Sequence, residues 1–294
     1  MRRILVVGCG DIALRVAKLL RMRYRLFGLV RSTVRSDELR AAGIVPLRGD
    51  LDNAASLRKL AGLAHIVLHF APPSSTDKCD TRTRNLIAAL SRACPERGRR
   101  GALPQHLIYI STSGVYGDCA GALVAETHPP NVQTARAQRR MDAEKQIRGW
   151  AKRSGVNASI LRVPGIYAAD RMPVQRLQQG APAIADDEDS YVNHIHADDL
   201  ARIVVAALRH AKPNRVYHAS DDSELKMSEY FDAVADAYGL PRPPRISRKQ
   251  AQRTLPESLL LFMNESRRLS NTRMKQELKV VLRYPTVADM LKNV

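Results

Sequence analysis

A short glycine-containing turn near the start of the chain has the composition of a phosphate-binding loop. It follows an apolar run at residues 4–7 and precedes residues at helical spacing. Gly8 would make the sharp strand-to-helix turn, Gly10 would let backbone amides approach a pyrophosphate, and Ala13 would let the helix pack closely on the strand. The alternative is that these small residues serve only tight packing. We predict a dinucleotide cofactor, with contacts from Gly8, Gly10, Asp11 and Ile12.

The end of the second strand-like run holds the residues that would select between the two nicotinamide dinucleotides. This place lies about 20 residues beyond the glycines, and an acidic residue there would bind the free ribose hydroxyls of NAD. The chain has Arg31 instead, followed closely by Ser32 and Arg35. Because a guanidinium pairs with the additional phosphate of NADP, we predict that NADP is preferred over NAD. The alternative is that Arg31 only caps an exposed strand end.

Two histidines beside two aspartates form a second candidate for chemistry. His194 and His196 would face the same side of a strand, so their imidazoles could converge on a metal ion. The competing interpretation places a strand end here, with Asp198 or Asp199 capping the next helix. We prefer the capping interpretation and assign no metal ligands.

The net charge of the chain is unusually high, at a formal value of +18 over 294 residues. A field of this sign favours anionic partners, such as a phosphorylated cofactor or substrate, or nucleic acid bound without sequence preference. Basic clusters occur at residues 97–100 and 242–253. Neither has aromatic residues interleaved for base stacking, so we interpret both as solvated faces and expect no nucleic-acid partner.

The spacing of apolar runs predicts the sheet that must hold these groups. Helix-like segments separate nearly all of the runs, and strands that alternate with helices form a parallel sheet covered on both faces. The predicted fold class is therefore α/β and doubly wound. Beyond Asp221 the pattern is mostly helix-like, which predicts a smaller C-terminal lobe. The seven runs lie near residues 4–7, 26–30, 45–47, 66–70, 106–110, 159–163 and 216–218.

Bulk composition is typical of a globular protein outside the membrane. A hydrophobic fraction of 45% with 26% charged residues excludes a disordered chain. No apolar run approaches the roughly 20 residues that a membrane span needs. The four cysteines lack the paired spacing of a metal site and do not make a disulfide framework in a chain of this length. We expect a cytoplasmic protein without a membrane partner.

Further segments occur in the order typical of one protein family, at residues 48–51, 69–73, 109–118, 161–167 and 193–201. Over almost its whole length, the sequence resembles the extended short-chain dehydrogenase/reductase superfamily, in particular its atypical members related to NAD-dependent epimerase/dehydratases. The resemblance implies a Rossmann domain at residues 1–165 and a substrate-binding lobe at 166–294, with about 194–219 returning to the sheet. It allows a monomer or a homodimer.

The resemblance also implies roles for single residues. Thr112 would hold the substrate oxygen. The segments after the third, fourth and sixth strands would line the cofactor from its adenine to its nicotinamide end. The contacts implied there are Asp50, Leu51, Ala71, Pro72 and Pro164.

The expected catalytic helix departs from the family pattern. The family has a Tyr-x-x-x-Lys motif with an acid four residues later, and taking Glu144 as the acid puts Arg140 at the Lys position and Arg136 at the Tyr position. An arginine cannot exchange the proton that the family's tyrosine does, because its pKa is too high. Arg140 could still bind ribose or an anionic substrate. The resemblance would place Tyr116 in the substrate cleft as the nearest replacement acid, with Asp118 second; the alternative is that Tyr116 only packs the fold.

Three functional hypotheses follow. The first is an NADP-preferring oxidoreductase or epimerase acting on a small substrate, which is anionic or a sugar nucleotide. The second is a noncatalytic NADP-binding sensor that lacks the Tyr and Lys pair. The third and weakest is a nucleic-acid-binding protein that retains the fold.

Overall fold

The structure is a computed structural model, and it describes residues 1–75, 78–92, 103–255, 260 and 263–292. The strands in these ranges are β1 (Arg2–Val7), β2 (Tyr24–Val30), β3 (Ile44–Arg48), β4 (Ile66–His69), β5 (His106–Thr112), β6 (Leu123–Val124), β7 (Asn157–Val163), β8 (Gly165–Tyr167), β9 (Ala183–Ile184), β10 (Tyr191–Val192), β11 (His194–His196), β12 (Arg215–His218), β13 (Leu225–Lys226), β14 (Arg245–Ile246) and β15 (Arg268–Leu269). The α-helices are α1 (Asp11–Leu20), α2 (Ser36–Ala41), α3 (Thr81–Leu90), α4 (Ala135–Ser154), α5 (Val174–Gln178), α6 (Ala197–His210), α7 (Met227–Ala237), α8 (Arg248–Thr254), α9 (Thr272–Leu278) and α10 (Val287–Leu291).

The described long strands form one seven-stranded sheet in the order β3-β2-β1-β4-β5-β7-β12. Every pairing in it is parallel. Each of the seven apolar runs predicted from the sequence overlaps one of these strands, so the prediction of a doubly wound α/β fold is confirmed. The carboxyl ends of all seven strands meet at one edge of the sheet, which is where open α/β folds place ligands.

Neighbouring residues of the central strands face opposite sides of the sheet and build two separate cores. On β1, Val6 belongs to the core that contains α1 and α6, whereas Leu5 belongs to the core that contains α4. On β5, Ile108 and Tyr109 divide in the same way. This alternation follows from the twofold period of a strand. It makes α4 the helix that packs beside β5 and β7.

Helix α4 carries charged residues within its buried stripe. Thr134 caps its amino end by accepting a hydrogen bond from the backbone nitrogen of Ala137 at 3.1 Å. Buried positions then recur every three or four residues, which is the spacing of one helix face. They include Ala137, Arg140, Glu144, Ile147 and Ala151. The helix therefore brings two ionisable groups against the sheet.

The amino end of α6 is capped differently from the prediction. His196 is the N-cap residue, and its Nδ1 accepts the hydrogen bond from the backbone nitrogen of Asp198 at 3.2 Å. The prediction of Asp198 or Asp199 as the cap is wrong, because the helix begins at Ala197 and both aspartates lie inside its first turn. Both carboxylates have other partners. Asp198 binds Arg15 at 2.5 Å. Asp199 is fully buried and accepts hydrogen bonds from the backbone nitrogens of residues 283 and 284, at 2.9 and 2.8 Å.

A third apolar cluster lies apart from both faces of the sheet. It joins α5, α7 and α10 through Leu177, Phe231, Val234 and Val287. The division into a Rossmann domain and a substrate-binding lobe at residue 165 stays a prediction. Within the described ranges, no helix has both the length and the apolar character needed to cross a membrane.

Of the two basic clusters noted in the sequence, the structure describes only the second. Residues 97–100 lie outside the described residues. In the second cluster, Arg242 pairs with Asp236 at 2.7 Å and Arg245 pairs with Asp232 at 2.5 Å. Carboxylates of the same chain thus match part of the charge that a nucleic acid would use.

Candidate cofactor and substrate site

The turn after β1 leaves room for a phosphate group. Gly8 has a φ of +97°, and a Cβ on it would lie 2.4 Å from the backbone nitrogen of Ala71, so only glycine fits there. Gly10 is the N-cap of α1 and has no capping side chain, and a Cβ on it would meet nothing within 4 Å. Open space in front of uncapped helix amides suits an anion. The turn therefore fits the pyrophosphate of a dinucleotide.

The other two predicted residues of this turn contact the rest of the protein. Asp11 forms ion pairs with Arg15 and with Arg171, each at 3.0 Å. Ile12 is half-buried and packs against the core that contains α6. The Asp11 carboxylate thus ties the turn to the segment after β8, while its backbone amide stays at the helix terminus.

The residues predicted to select NADP follow β2 at the same sheet edge. Arg31 and Ser32 are exposed. The Ser32 hydroxyl accepts a hydrogen bond from the backbone nitrogen of Val34 at 3.2 Å, which shapes the turn. Arg35 pairs with Glu38 at 2.6 Å. Arg31 is therefore placed to meet an anion arriving at this edge, whereas the charge of Arg35 is already matched.

The segment after β3 brings an acidic pair close to Arg31. Asp50 accepts a hydrogen bond from the backbone nitrogen of Asp52 at 3.0 Å, and Leu51 between them is buried. Arg82 bonds the Asp52 carboxylate at 2.6 Å and holds its pKa below the usual value, and the positive charge of Arg31 acts in the same direction. The predicted adenine-end residues therefore lie beside one another.

The remaining predicted cofactor residues lie farther along the sheet edge. The backbone nitrogen of Ala71 donates to the carbonyl oxygen of Val7 at 2.9 Å, so the loop after β4 passes directly beside Gly8. Pro72 is exposed, and its carbonyl oxygen accepts a hydrogen bond from Arg82 at 3.2 Å. Pro164 lies after β7 in the wall of a large cavity. A cofactor bound at Gly10 would follow this line.

That cavity opens at the carboxyl ends of β5 and β7 and has a volume of about 680 Å³. This is the size of a pocket for a small organic ligand. Thr112 lines it, and its hydroxyl oxygen accepts a hydrogen bond from the backbone nitrogen of Gly114 at 3.2 Å. A hydroxyl has one hydrogen to donate besides its acceptor sites, so Thr112 can still donate to a ligand. The walls come from residues 110–114, 134–137, 163–166 and 191–194, together with Arg140, Arg171, Met227, Glu265 and Arg267.

Both arginines at the substituted catalytic positions line this cavity. Arg140 is only 9% exposed, and its Nη1 donates to the carbonyl oxygen of Ile110 at 2.8 Å and to the hydroxyl of Tyr109 at 3.1 Å. Its buried Nε has no hydrogen-bond partner. Arg136 lies one helical turn earlier at the cavity opening; partial loss of water lowers its pKa, and the positive charge of Arg140 lowers it further.

Glu144 makes no contact with the cavity. It is fully buried and holds Arg162 through two hydrogen bonds, at 3.1 and 2.8 Å. It also accepts a hydrogen bond from the hydroxyl of Ser111 at 2.6 Å. Glu144, the acid from which the positions of the catalytic motif were counted, is thus a structural residue that fixes α4 to β5 and β7.

Tyr116 is fully buried and is not part of the cavity wall, contrary to the expectation that it faces the cleft. Its hydroxyl oxygen accepts a hydrogen bond from Arg162 at 2.6 Å. Since His218 Nδ1 lies 2.9 Å from the carbonyl oxygen of Ser270, to which it can only donate, Nε2 accepts the tyrosine hydrogen at 2.6 Å. This placement favours the alternative in which Tyr116 packs the fold. Asp118 likewise caps turns, by accepting from the backbone nitrogen of Ser266 at 2.9 Å.

The two histidines of β11 flank a tyrosine ring. The centroid of Tyr167 lies 6.1 Å from that of His194 and 5.3 Å from that of His196. His194 lines the cavity and stacks on Tyr230 at 4.3 Å, and burial lowers its pKa to about 4, so it is neutral near pH 7. In the part of the chain that the structure describes, no group of three or more His, Cys, Asp or Glu is arranged to hold a metal ion.

Sequence reasoning missed several polar residues of the cavity wall. They lie on short elements and loops that have no periodic pattern, so no motif pointed to them. Tyr191 lines the cavity, and Arg267 pairs with Glu265 at 2.8 Å. The residues missed are Arg171, Tyr191, Glu265 and Arg267, and His194 had been considered as a metal ligand but not as part of this cavity.

Comparison with solved structures shows the same fold. A functionally unknown conserved protein from Silicibacter pomeroyi is 27% identical, with a TM-score of 0.83 over 100% of this chain and 98% of its own. UDP-glucuronic acid 4-epimerase from Bacillus cereus, solved in complex with UDP-glucuronic acid and NAD, is 19% identical, with a TM-score of 0.76 over 99% of this chain and 96% of its own. At the latter identity, the likeness concerns the fold alone.

Sequence comparison gives a relative and a family. The zebrafish (Danio rerio) methionine adenosyltransferase 2 subunit beta is 24% identical over 189 residues, which are 60% of this chain and 57% of that protein. The chain thus spans little more than half the length of this relative. The model of the NAD-dependent epimerase/dehydratase family matches residues 4–219, which include the phosphate-binding turn and the seven-stranded sheet except for the first two residues of β1. The chain therefore belongs to the NAD-dependent epimerase/dehydratase family.

Proposed function

We propose that the protein is an NAD(P)-dependent oxidoreductase or epimerase that prefers NADP and converts a small substrate in the 680 Å³ cavity. The observation that carries the proposal is the alignment of two features at one sheet edge. The open turn at Gly10 fits a pyrophosphate, and the cavity begins two strands farther along, after β5. A dinucleotide anchored at the turn would extend its reactive ring toward the cavity.

The preference for NADP rests on the end of β2. Arg31 occupies the position where an acid would bind the ribose hydroxyls of NAD, and it is exposed. A guanidinium there attracts a phosphate and gives the free hydroxyls no acceptor. Arg31 thus favours NADP and removes a contact that NAD would need.

The cavity residues can support redox chemistry at a carbon–oxygen bond. When bound, the nicotinamide ring would supply or accept the hydride. Thr112 donates a hydrogen bond to the substrate oxygen, and Arg140 stabilises negative charge that develops on it. Tyr191 is the tyrosine among the described lining residues, and we assign it as the proton donor. Tyr116 is the other candidate for this role, but its hydroxyl hydrogen is bound by His218.

Calorimetric titration with NADPH and NADH tests the cofactor assignment. NADPH is expected to bind more tightly than NADH, with Arg31→Ala removing the preference and Gly10→Val removing binding of both. Arg23→Ala is the matched control, because Arg23 is an exposed arginine at the opposite end of β2. Absence of binding to either nucleotide would overturn the proposal.

Turnover of aldehydes, ketones and sugar nucleotides then tests the chemistry. Removing a positioned proton donor lowers a rate by about 10²- to 10⁴-fold. Tyr191→Phe is expected to cause a loss of this size, while Tyr116→Phe leaves the turnover of folded protein within a few-fold. The reverse result would restore Tyr116 as the proton source.

The arginines at the catalytic positions favour one other candidate, a noncatalytic NADP-binding protein that acts through a partner. The similarity to a protein named as an enzyme subunit is consistent with it. Tight NADPH binding without turnover of any substrate would support this candidate. New activity in the double variant Arg136→Tyr, Arg140→Lys would then show that the arginines had silenced the site.

A further inference from the structure

Arg171 lies between the candidate substrate cavity and the phosphate-binding turn. It ends the short turn Ala169–Arg171, which follows β8, and its side chain lines the cavity. Its Nη2 is 3.0 Å from the carboxylate of Asp11, the first residue of α1. Asp11 directly follows Gly10, which has the open space that suits a pyrophosphate. One guanidinium therefore reaches from the cavity wall to the edge of the cofactor site.

The ion pair between Arg171 and Asp11 can be exchanged for another contact. The two side chains are 34% and 30% exposed, and ion pairs with this access to water contribute little to stability. Asp11 also has a second partner, because Arg15 Nε donates to both of its carboxylate oxygens, at 3.1 and 3.0 Å. Arg15 is itself held by Asp198 at 2.5 Å. Release of Arg171 thus leaves Asp11 paired with Arg15.

The Asp11 carboxylate opposes the anion that the turn would bind. Its backbone amide belongs to the uncapped end of α1, which favours an anion, whereas its side chain carries a negative charge. A pyrophosphate group in front of Gly10 would lie near that charge, and the two would repel each other. A further cation would offset this repulsion. Arg171 reaches the same point from the side of the cavity.

We propose that Arg171 is a counter-ion for the pyrophosphate group of the bound dinucleotide, and that Asp11 holds it in place before the cofactor binds. This inference rests on the proposed function and adds to it a binding residue from the segment after β8. A guanidinium donates two parallel hydrogen bonds to a phosphate, so a weak ion pair is exchanged for a bidentate contact. Because Arg171 also lines the cavity, cofactor binding would shift part of the wall that meets the substrate.

A purely structural role for this ion pair predicts a different result. If Arg171 only ties the segment after β8 to α1, Arg171→Gln and Asp11→Asn break the same contact and should change cofactor binding in the same direction. If Arg171 is the counter-ion and Asp11 competes for it, the two substitutions should have opposite effects. The sign of the Asp11→Asn effect therefore decides between the two roles.

Calorimetric titration of the wild type and both variants with NADPH and with inorganic pyrophosphate measures these effects. Arg171→Gln is expected to weaken binding of each probe about tenfold, the effect of losing a charge-assisted hydrogen bond. Asp11→Asn is expected to tighten binding about threefold or more, because it removes a repelling charge and releases Arg171. The matched controls are Arg242→Gln and Asp236→Asn, which break an ion pair of 2.7 Å whose side chains are 62% and 52% exposed. Neither control should change the affinity.

Three results would overturn the proposal: weaker binding in both variants, unchanged affinity in Arg171→Gln, or equal changes in the control variants. Failure of the proposed function gives a different pattern. NADPH binding that does not depend on Arg171 refutes the counter-ion and leaves the dinucleotide-dependent enzyme in place. Pyrophosphate binding with the two opposite effects, but without any NADPH binding, supports the role of Arg171 and refutes that enzyme. Binding of neither probe refutes both.

Discussion

Arg162 and Arg140 are both buried where α4 meets the sheet, yet their surroundings differ. Arg162 is 4% exposed, forms two hydrogen bonds with the carboxylate of Glu144 and donates a third to Tyr116. Arg140 is 9% exposed and has neutral partners among the described residues. One cation is compensated inside the protein, and the other faces a cavity without compensation.

The difference separates a structural charge from a functional one. Removing one member of a buried ion pair leaves the other charge in a place where water cannot reach it. An uncompensated arginine leaves no such charge behind when it is replaced. Stability should therefore depend strongly on the Arg162 pair, whereas ligand binding should depend on Arg140.

The largest effect is expected from Glu144→Gln. The substitution preserves shape but leaves Arg162 buried without its carboxylate, which costs about 3–5 kcal/mol of the free energy of unfolding. Urea denaturation followed by circular dichroism measures it. Asp52 provides a control, because its side chain is 42% exposed in the pair with Arg82, and Asp52→Asn should cost about 1 kcal/mol or less. Equal losses of unfolding free energy in Glu144→Gln and Asp52→Asn would show that the Arg162 pair contributes no more to stability than an exposed pair.

A pH titration extends the comparison to the network around Arg162. Burial lowers the pKa of His218 from 6.5 to about 3, and nearby arginines including Arg162 add to the effect. The unfolded chain therefore binds a proton below pH 6.5 that the folded protein excludes, so the stability that His218 contributes is present above pH 6.5 and is lost as pH falls toward 3.

Relative to His218→Gln, the wild type should lose about 2 kcal/mol of stability between pH 7 and pH 5. Chemical denaturation of both proteins at the two pH values measures this difference. The same pH dependence of stability in the wild type and in His218→Gln would show that His218 does not account for the proton that only the unfolded chain binds.

A smaller effect is expected from Arg140→Met. Loss of the hydrogen bonds to Ile110 and Tyr109 is offset by removal of an uncompensated buried cation, so the net change in unfolding free energy should stay within about 1.5 kcal/mol. The measurement is the same urea denaturation. A loss as large as that of Glu144→Gln would mean that Arg140, too, is a structural charge.

The smallest effect concerns the helix that carries Arg140. Thr134→Ala removes the N-cap of α4 and should cost about 1 kcal/mol. Fraying would begin near Arg136 and leave Glu144 in place, so amide hydrogen exchange should rise in the first turn only. Faster exchange throughout α4 would contradict a local role for this cap.

The sheet could be predicted from the sequence because parallel strands buried on both faces are continuous apolar runs, such as the one at residues 4–7. The phosphate-binding turn was recognisable because only glycine fits at position 8, and because Gly10 leaves open space in front of the helix amides. The cavity wall was not predictable in the same way. Tyr191 and Arg267 reach it from segments far apart in the chain.

The orientation of individual side chains also could not be predicted from the sequence. The same short segment places Thr112 at the cavity and turns Tyr116 into the core, where the distant residues Arg162 and His218 bind it. The cap of α6 is His196 because the helix begins at Ala197, and Asp198 binds Arg15, 183 positions away. The partners of Tyr116 and of Asp198 are thus distant in the sequence.

The carboxylate of Asp199 accepts hydrogen bonds from amides 84 and 85 residues farther along the chain. At 5–20 residues per second, a ribosome adds those amides roughly 4–17 s after Asp199. Until then the Asp199 carboxylate lacks both amide donors and keeps its pairing with Arg202 of the same helix at 3.6 Å, so α6 cannot settle against α1 in its final form. A nascent chain halted before residue 283 is therefore expected to stay open to proteases at α6, even though every strand of the sheet has already been synthesised.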